Sequence, residues 1–144
     1  MRRFHARGRL AAAVFFGCVA SSCGSMGAQP AHVPAPLKQG EWGGQHIAMT
    51  VAASKTDLEF DCGRATVNGT IQTDADGAFT AAGTFLPERP GPTTPDPPPP
   101  RPMRMTGTVA GDDMQVKIVL TDQSDDVGTF SLRLGAAPRL VKCR

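Results

Sequence analysis

The chain has no tyrosine and a single tryptophan, Trp42, so it offers little for nucleic-acid bases to stack on. Acidic residues are missing from the whole stretch before Cys23, where Arg2, Arg3, Arg7 and Arg9 lie. Those arginines are four of the 15 basic residues; the other 11 meet 13 acidic ones, leaving the rest of the chain near −2. No basic stripe interleaved with aromatics occurs, which excludes a nucleic-acid surface. Apolar runs all fall short of the roughly 20 residues that a membrane-spanning helix needs. After Gly40 the only histidine is His46, read as a surface residue, so a zinc site lacks its ligands. Ser54 and Asp57 lie close to His46 in sequence, but a hairpin does not bring such residues into a hydrolytic triad. Asp74-Ala75-Asp76-Gly77 opens like a calcium loop, yet Ala78 and Phe85 stand where further acids belong. It reads as a hairpin turn, and Asp122, Asp125 and Asp126 read as a solvated loop. These absences point away from an enzyme and imply no cofactor.

What is present is a period of two. Leu58, Phe60 and Cys62 share one parity, opposite Glu59 and Asp61. Val67, Gly69 and Ile71 share another, as do Phe79, Ala81, Gly83 and Phe85. Met114, Val116, Ile118 and Leu120 alternate with Gln115, Lys117, Val119 and Thr121. Such alternation between turn residues predicts antiparallel strands with one wet face. Eight strands are expected, near 45–53, 56–62, 65–73, 77–86, 103–111, 114–121, 127–134 and 139–143. A Gly-Thr-apolar phrase recurs at Gly69, Gly83, Gly107 and Gly128. It places glycine inward and suggests strongly curved strands. The fold class is therefore all-β, a small antiparallel up-and-down barrel, with a β-sandwich as the alternative.

The N-terminus has a different design. Met1–Arg9 is basic, and Leu10–Ala20 is apolar but too short to span a bilayer. Ala20-Ser21-Ser22-Cys23 follows and resembles a bacterial lipobox, with Ala20 in place of the usual leucine. The resemblance implies a signal peptide over residues 1–22 and a lipidated Cys23, enough for stable membrane anchoring. Ser25, where an aspartate would signal retention in the inner membrane, implies the outer membrane, facing the periplasm. Ordinary secretion with cleavage after Ala28 is the alternative. Residues 23–39 then form a flexible tether rich in Gly, Ser, Ala and Pro, and residues 40–144 form the barrel domain.

Once Cys18 leaves with the leader and Cys23 carries lipid, Cys62 and Cys143 remain for one disulfide in an oxidising compartment. The second and eighth predicted strands flank the first, so both cysteines reach one rim. That rim must pinch over Trp42-Gly43-Gly44, with Trp42 packed against the bridge. Gly40-Glu41-Trp42 is similar to the Gly-x-Trp opening of lipocalins and other calycins. The likeness implies a Trp capping the barrel floor under a late basic residue, Arg139 or Arg144. Trp42-Gly43-Gly44, Phe60-Asp61-Cys62-Gly63 and Val141-Lys142-Cys143 together resemble small exported bacterial proteins, a likeness that carries no activity with it.

Residues 87–102 contain nine prolines, which exclude regular strand and favour polyproline II around Pro97, Pro98, Pro99 and Pro100. This segment is expected at the rim holding Trp42, the disulfide and the tether. It reads as a tolerated insertion, or as a strap for an aromatic groove on a partner. Two functions follow. One is a membrane-anchored, non-catalytic interaction or structural protein of the cell envelope with an envelope protein partner. The other is a calycin-like binder of a small apolar ligand, with Met49, Met103, Met105 and Met114 as an adaptable lining. Trp42, His46 and the prolines are the candidate rim residues.

Overall fold

A computed structural model describes residues 34–89, 91 and 98–143. The expected signal peptide, Cys23, Pro97 and Arg144 lie outside the described residues. The strands are β1 Ala35–Pro36, β2 Gly40–Gly44, β3 Ile47–Val51, β4 Lys55–Phe60 and β5 Gly63–Asn68, then β6 Gln72–Thr73, β7 Ala78–Pro87, β8 Arg101–Ala110, β9 Asp113–Leu120 and β10 Asp125–Leu134. Eight of them close into an antiparallel barrel in the order β10-β2-β3-β4-β5-β7-β8-β9, and β1 pairs separately with β6.

The alternation in the sequence becomes the inside and outside of this barrel. Ile47, Met49, Leu58, Phe60, Met103, Met105, Met114, Val116, Ile118 and Leu120 are all buried. Each such side chain contributes about 1.5–3 kcal/mol when fully removed from water. Two inward glycines make room for large neighbours: Gly83 pairs with Met103, and Gly107 pairs with Phe79. A Cβ at Gly107 would lie 2.7 Å from the Phe79 ring, so the aromatic ring occupies the space that glycine leaves. The other two repeats differ. Gly69 lies in a turn outside any strand, and Gly128 marks a register shift in β10.

One expected strand is replaced by a segment that was not expected to be one. The segment 139–143 is not a strand; its only ladder contact is a single parallel bridge between Gln45 and Arg139. The eighth barrel strand is instead β2, the glycine-rich Gly40–Gly44. It pairs in full with β3, but with β10 only at Leu132–Gly44, Arg133–Gly43 and Leu134–Trp42. The chain after β10 then lies on the outer surface of β2. A Cβ at Gly43 would sit 2.1 Å from the Ala136 carbonyl oxygen, so only glycine admits this contact. The expected strand over 65–73 also breaks, into β5 and the short β6.

The barrel has two distinct rims. At the near rim, the chain arrives through Pro34–Gln39. Leu37 is buried and donates its N–H to the Ile71 carbonyl, and Lys38 pairs with Asp112 at 2.9 Å. The last six residues of the expected tether thus belong to the fold. At the far rim lie the β2–β3 and β4–β5 turns, the Asp122–Asp125 turn and the ends of the proline-rich connection. There the Arg101 guanidinium holds Asp122 and Asp125, each at 2.7 Å, so that loop is ion-paired. The disulfide and the proline-rich connection share the far rim, as Glu88 N–H donating to the Cys62 carbonyl shows. The tether joins the opposite one.

One polar group inside stands out. Thr56, an inward β4 residue, is 1% exposed, and its Oγ1 has no hydrogen-bond partner among the described residues. An unsatisfied buried hydroxyl costs stability, so Thr56→Val should raise it by about 1 kcal/mol. Urea unfolding of the two proteins measures this. An equal or lower midpoint for the valine protein would refute the unpaired hydroxyl.

Candidate functional site

The far rim is built around Asp61, in the β4–β5 turn. Its Oδ2 lies 2.6 Å from His46 Nδ1, and its Oδ1 accepts the Val141 N–H at 2.7 Å. Its own carbonyl accepts the Cys143 N–H at 3.1 Å. His46 reaches this position because the β2–β3 turn gives it φ 66, a left-handed conformation. Its backbone N–H donates to Arg139, and Arg139 N–H donates to Gly44. Lys142 Nζ bonds to the Phe60 carbonyl and to Glu59, at 2.9 and 2.8 Å. The Cys62–Cys143 disulfide closes the clamp, with Cα atoms 5.3 Å apart. Asp61 therefore ties two turns and the C-terminal strap together.

The Val141 N–H is the main reason that the Asp61 carboxyl is held below its usual range. The hydrogen bond from His46 and the charges of His46 and Lys142 act in the same direction, against desolvation. A carboxyl whose folded pKa is depressed stabilises the fold above its unfolded pKa, and the contribution is lost as pH falls through the folded value. Asp61→Asn should therefore lower the melting temperature at neutral pH. The gap from the wild type should shrink below pH 3.8, the ordinary aspartate value. A gap that stays constant down to about pH 2 would remove Asp61 as the acid-sensitive group.

The sequence-predicted residues separate. Cys62, Cys143 and His46 meet at the far rim, and Pro98–Pro100 lead into β8 there. Trp42 does not stack on the disulfide. It sits in register with Met49 and Leu134, is 1% exposed, and donates its Nε1 hydrogen to the Lys38 carbonyl of the incoming chain. Arg139 contributes backbone hydrogen bonds to Gly44 and His46. Ser54 belongs to the near-rim β3–β4 turn, away from His46. Among the described residues, no hydroxyl or thiol hydrogen-bonds to the His46 ring. Asp61 escaped the sequence reading because its parity marked it only as outward. The sole available signal was its place beside Cys62.

A second feature lies on the outer wall. A groove of about 690 Å³ crosses β2–β5 and is lined also by Pro138 and Lys142 of the strap and by Arg64 and Glu88. Short residues floor it: Ala48, Thr50 and Thr66. Two cross-strand rows supply its polar groups. One runs Glu41–Thr50–Asp57–Thr66, and the next runs Gly43–Ala48–Glu59–Arg64. In the second row the charges are balanced, with Glu59 on Lys142 and Glu88 on Arg64. In the first, among the described residues the Glu41 carboxylate accepts only the Thr50 hydroxyl, at 2.8 Å, while Asp57 accepts Thr66 and pairs with Lys55.

No family model, curated protein or solved structure matches this chain.

Proposed function

We propose that this protein is an exported lipoprotein, anchored through Cys23 in the outer membrane and facing the periplasm, that acts without catalysis by meeting an envelope partner. The observation that supports this most directly is the separation of the two rims. The chain from the tether joins the barrel at Lys38–Asp112, while the disulfide clamp lies at the other end. An anchor at the near rim leaves the clamp and the outer groove turned toward the surroundings. Trp42, Met49, Met103 and Met105 fill the barrel interior at 2% exposure or less. That packing ranks the solid interaction module above the binder of an apolar ligand.

Intact mass spectrometry of the protein from its native membrane, with and without reduction, tests the anchor. The expected mass is that of a chain beginning at triacylated Cys23, gaining two hydrogens on reduction. An unlipidated chain beginning near Gln29 would make this a freely secreted protein instead.

A further inference from the structure

The strap that follows β10 differs from the rest of the fold in how it is held. None of residues 136–143 is buried, and only Ala136 and Leu140 are half-buried. The barrel closes through β10 and β2 without it, and its ladder contact among the described residues is the Gln45–Arg139 bridge. The remaining non-covalent hold is polar. Arg139 N–H donates to Gly44, His46 N–H donates to Arg139, and the Val141 and Cys143 N–H groups donate to Asp61. Lys142 Nζ donates to the Phe60 carbonyl and pairs with Glu59, and an exposed ion pair adds little. With little apolar surface covered, lifting the strap passes these hydrogen bonds to water at small net cost. The covalent Cys62–Cys143 bond is therefore what keeps it down. Both cysteines are exposed, and exposed bridges are the ones that thiols reach and reduce most readily.

We infer that the Cys62–Cys143 bridge is a redox-operated latch: a dithiol opens it on the folded protein, and the strap lifts from a barrel that stays closed. A thiolate of the dithiol attacks one bridge sulfur, forming a mixed disulfide and expelling the other cysteine as a thiolate, which takes up a proton. The second thiol of the reductant then attacks the mixed disulfide and frees the remaining cysteine. Two electrons and two protons pass to Cys62 and Cys143, and the dithiol leaves as a disulfide. In the cell the reductant is a protein dithiol, and a disulfide oxidant reverses the step. Opening changes the outer wall. Pro138 and Lys142 leave the groove across β2–β5, Glu59 loses its cationic partner, and β2 loses the Ala136 backbone over Gly43. One barrel thus presents two different surfaces, according to the state of its bridge. This goes beyond the interaction reading and needs neither the lipid anchor nor a particular partner.

The test treats the purified protein in native buffer with about 5 mM dithiothreitol, then alkylates it and counts modified cysteines by mass. Both should be reduced at a rate within about tenfold of that in guanidinium, since no global unfolding is required. Trypsin should cut after Arg139 about tenfold faster or more in the reduced, alkylated protein than in the oxidised one. The emission of Trp42, buried in the barrel, should stay unchanged throughout. Removing dithiothreitol and adding oxidised glutathione to unalkylated protein should restore resistance to trypsin. A bridge reduced only in denaturant would sink the latch, and so would a strap cut no faster after reduction. A shift in Trp42 emission on reduction, or failure of glutathione to restore protection, would overturn it as well, by making the bridge a structural bond.

Discussion

Replacing Trp42 by alanine should remove about 3–5 kcal/mol of stability, the largest effect expected of any single side chain here. The indole is 1% exposed and lies between Met49 and Leu134, on the strand that closes the barrel. Its loss leaves a cavity that neighbours already tied into ladders cannot fill. It also frees the Lys38 carbonyl, which accepts Nε1–H at 3.1 Å and helps fix the incoming chain. Domains of this size have about 5–15 kcal/mol in total, so the variant should melt far below the wild type or fail to fold. Trp42→Phe separates the two contributions. It keeps most of the ring volume and should cost about 1 kcal/mol for the lost hydrogen bond, besides any change in packing. Denaturant unfolding decides the matter, and a loss below about 1 kcal/mol for the alanine variant would mean that Trp42 does not organise the core.

Opening the Cys62–Cys143 disulfide should have the second large effect. The bridge joins residues separated by 81 positions. In the chain-entropy account, cross-linking so long a loop restricts the unfolded ensemble by about 4 kcal/mol. Cys62→Ser with Cys143→Ser should therefore lower the melting temperature by roughly 15 °C or more. The barrel ladders do not pass through the bridge, so the far-ultraviolet spectrum should persist at low temperature. Amide exchange should quicken most in residues 136–143, which then depend on hydrogen bonds to Asp61, Phe60, Gly44 and His46 and on the Lys142–Glu59 ion pair. An unchanged melting temperature on reduction would show that the strap is held without the bridge.

Much of the fold was legible because burial follows a period of two. Met114–Leu120 alternates in sequence and in burial alike, and so does Ile47–Val51. The replaced strand and its replacement show where this signal stops. Gly40–Gly44 has one large apolar residue, so its strand character is invisible to alternation. Its glycines are required by backbone from elsewhere: Ala136 at Gly43 and Ser131 at Gly44. Arg139–Cys143 carries apolar Leu140, Val141 and Cys143, yet it lies over a finished sheet, and Val141 is 67% exposed. Both facts depend on long-range approach, which local pattern does not encode. The disulfide pair was legible from counting cysteines. The Asp61 clamp and the groove were not, since each joins outward residues from several strands.

The narrow contact between β10 and β2 has a consequence for the order of events in folding. Every other neighbouring pair in the barrel is joined by a short connection or by the β5–β7 and β7–β8 loops, so those ladders can grow locally. The β10–β2 pairing unites the two ends of the sheet, carries the greatest loop-closure entropy, and comes last. Only when β10 has docked can the strap cross β2 and carry Cys143 to Cys62. Oxidation thus latches a barrel that is already complete, and the formed disulfide distinguishes finished molecules from those still open along one side.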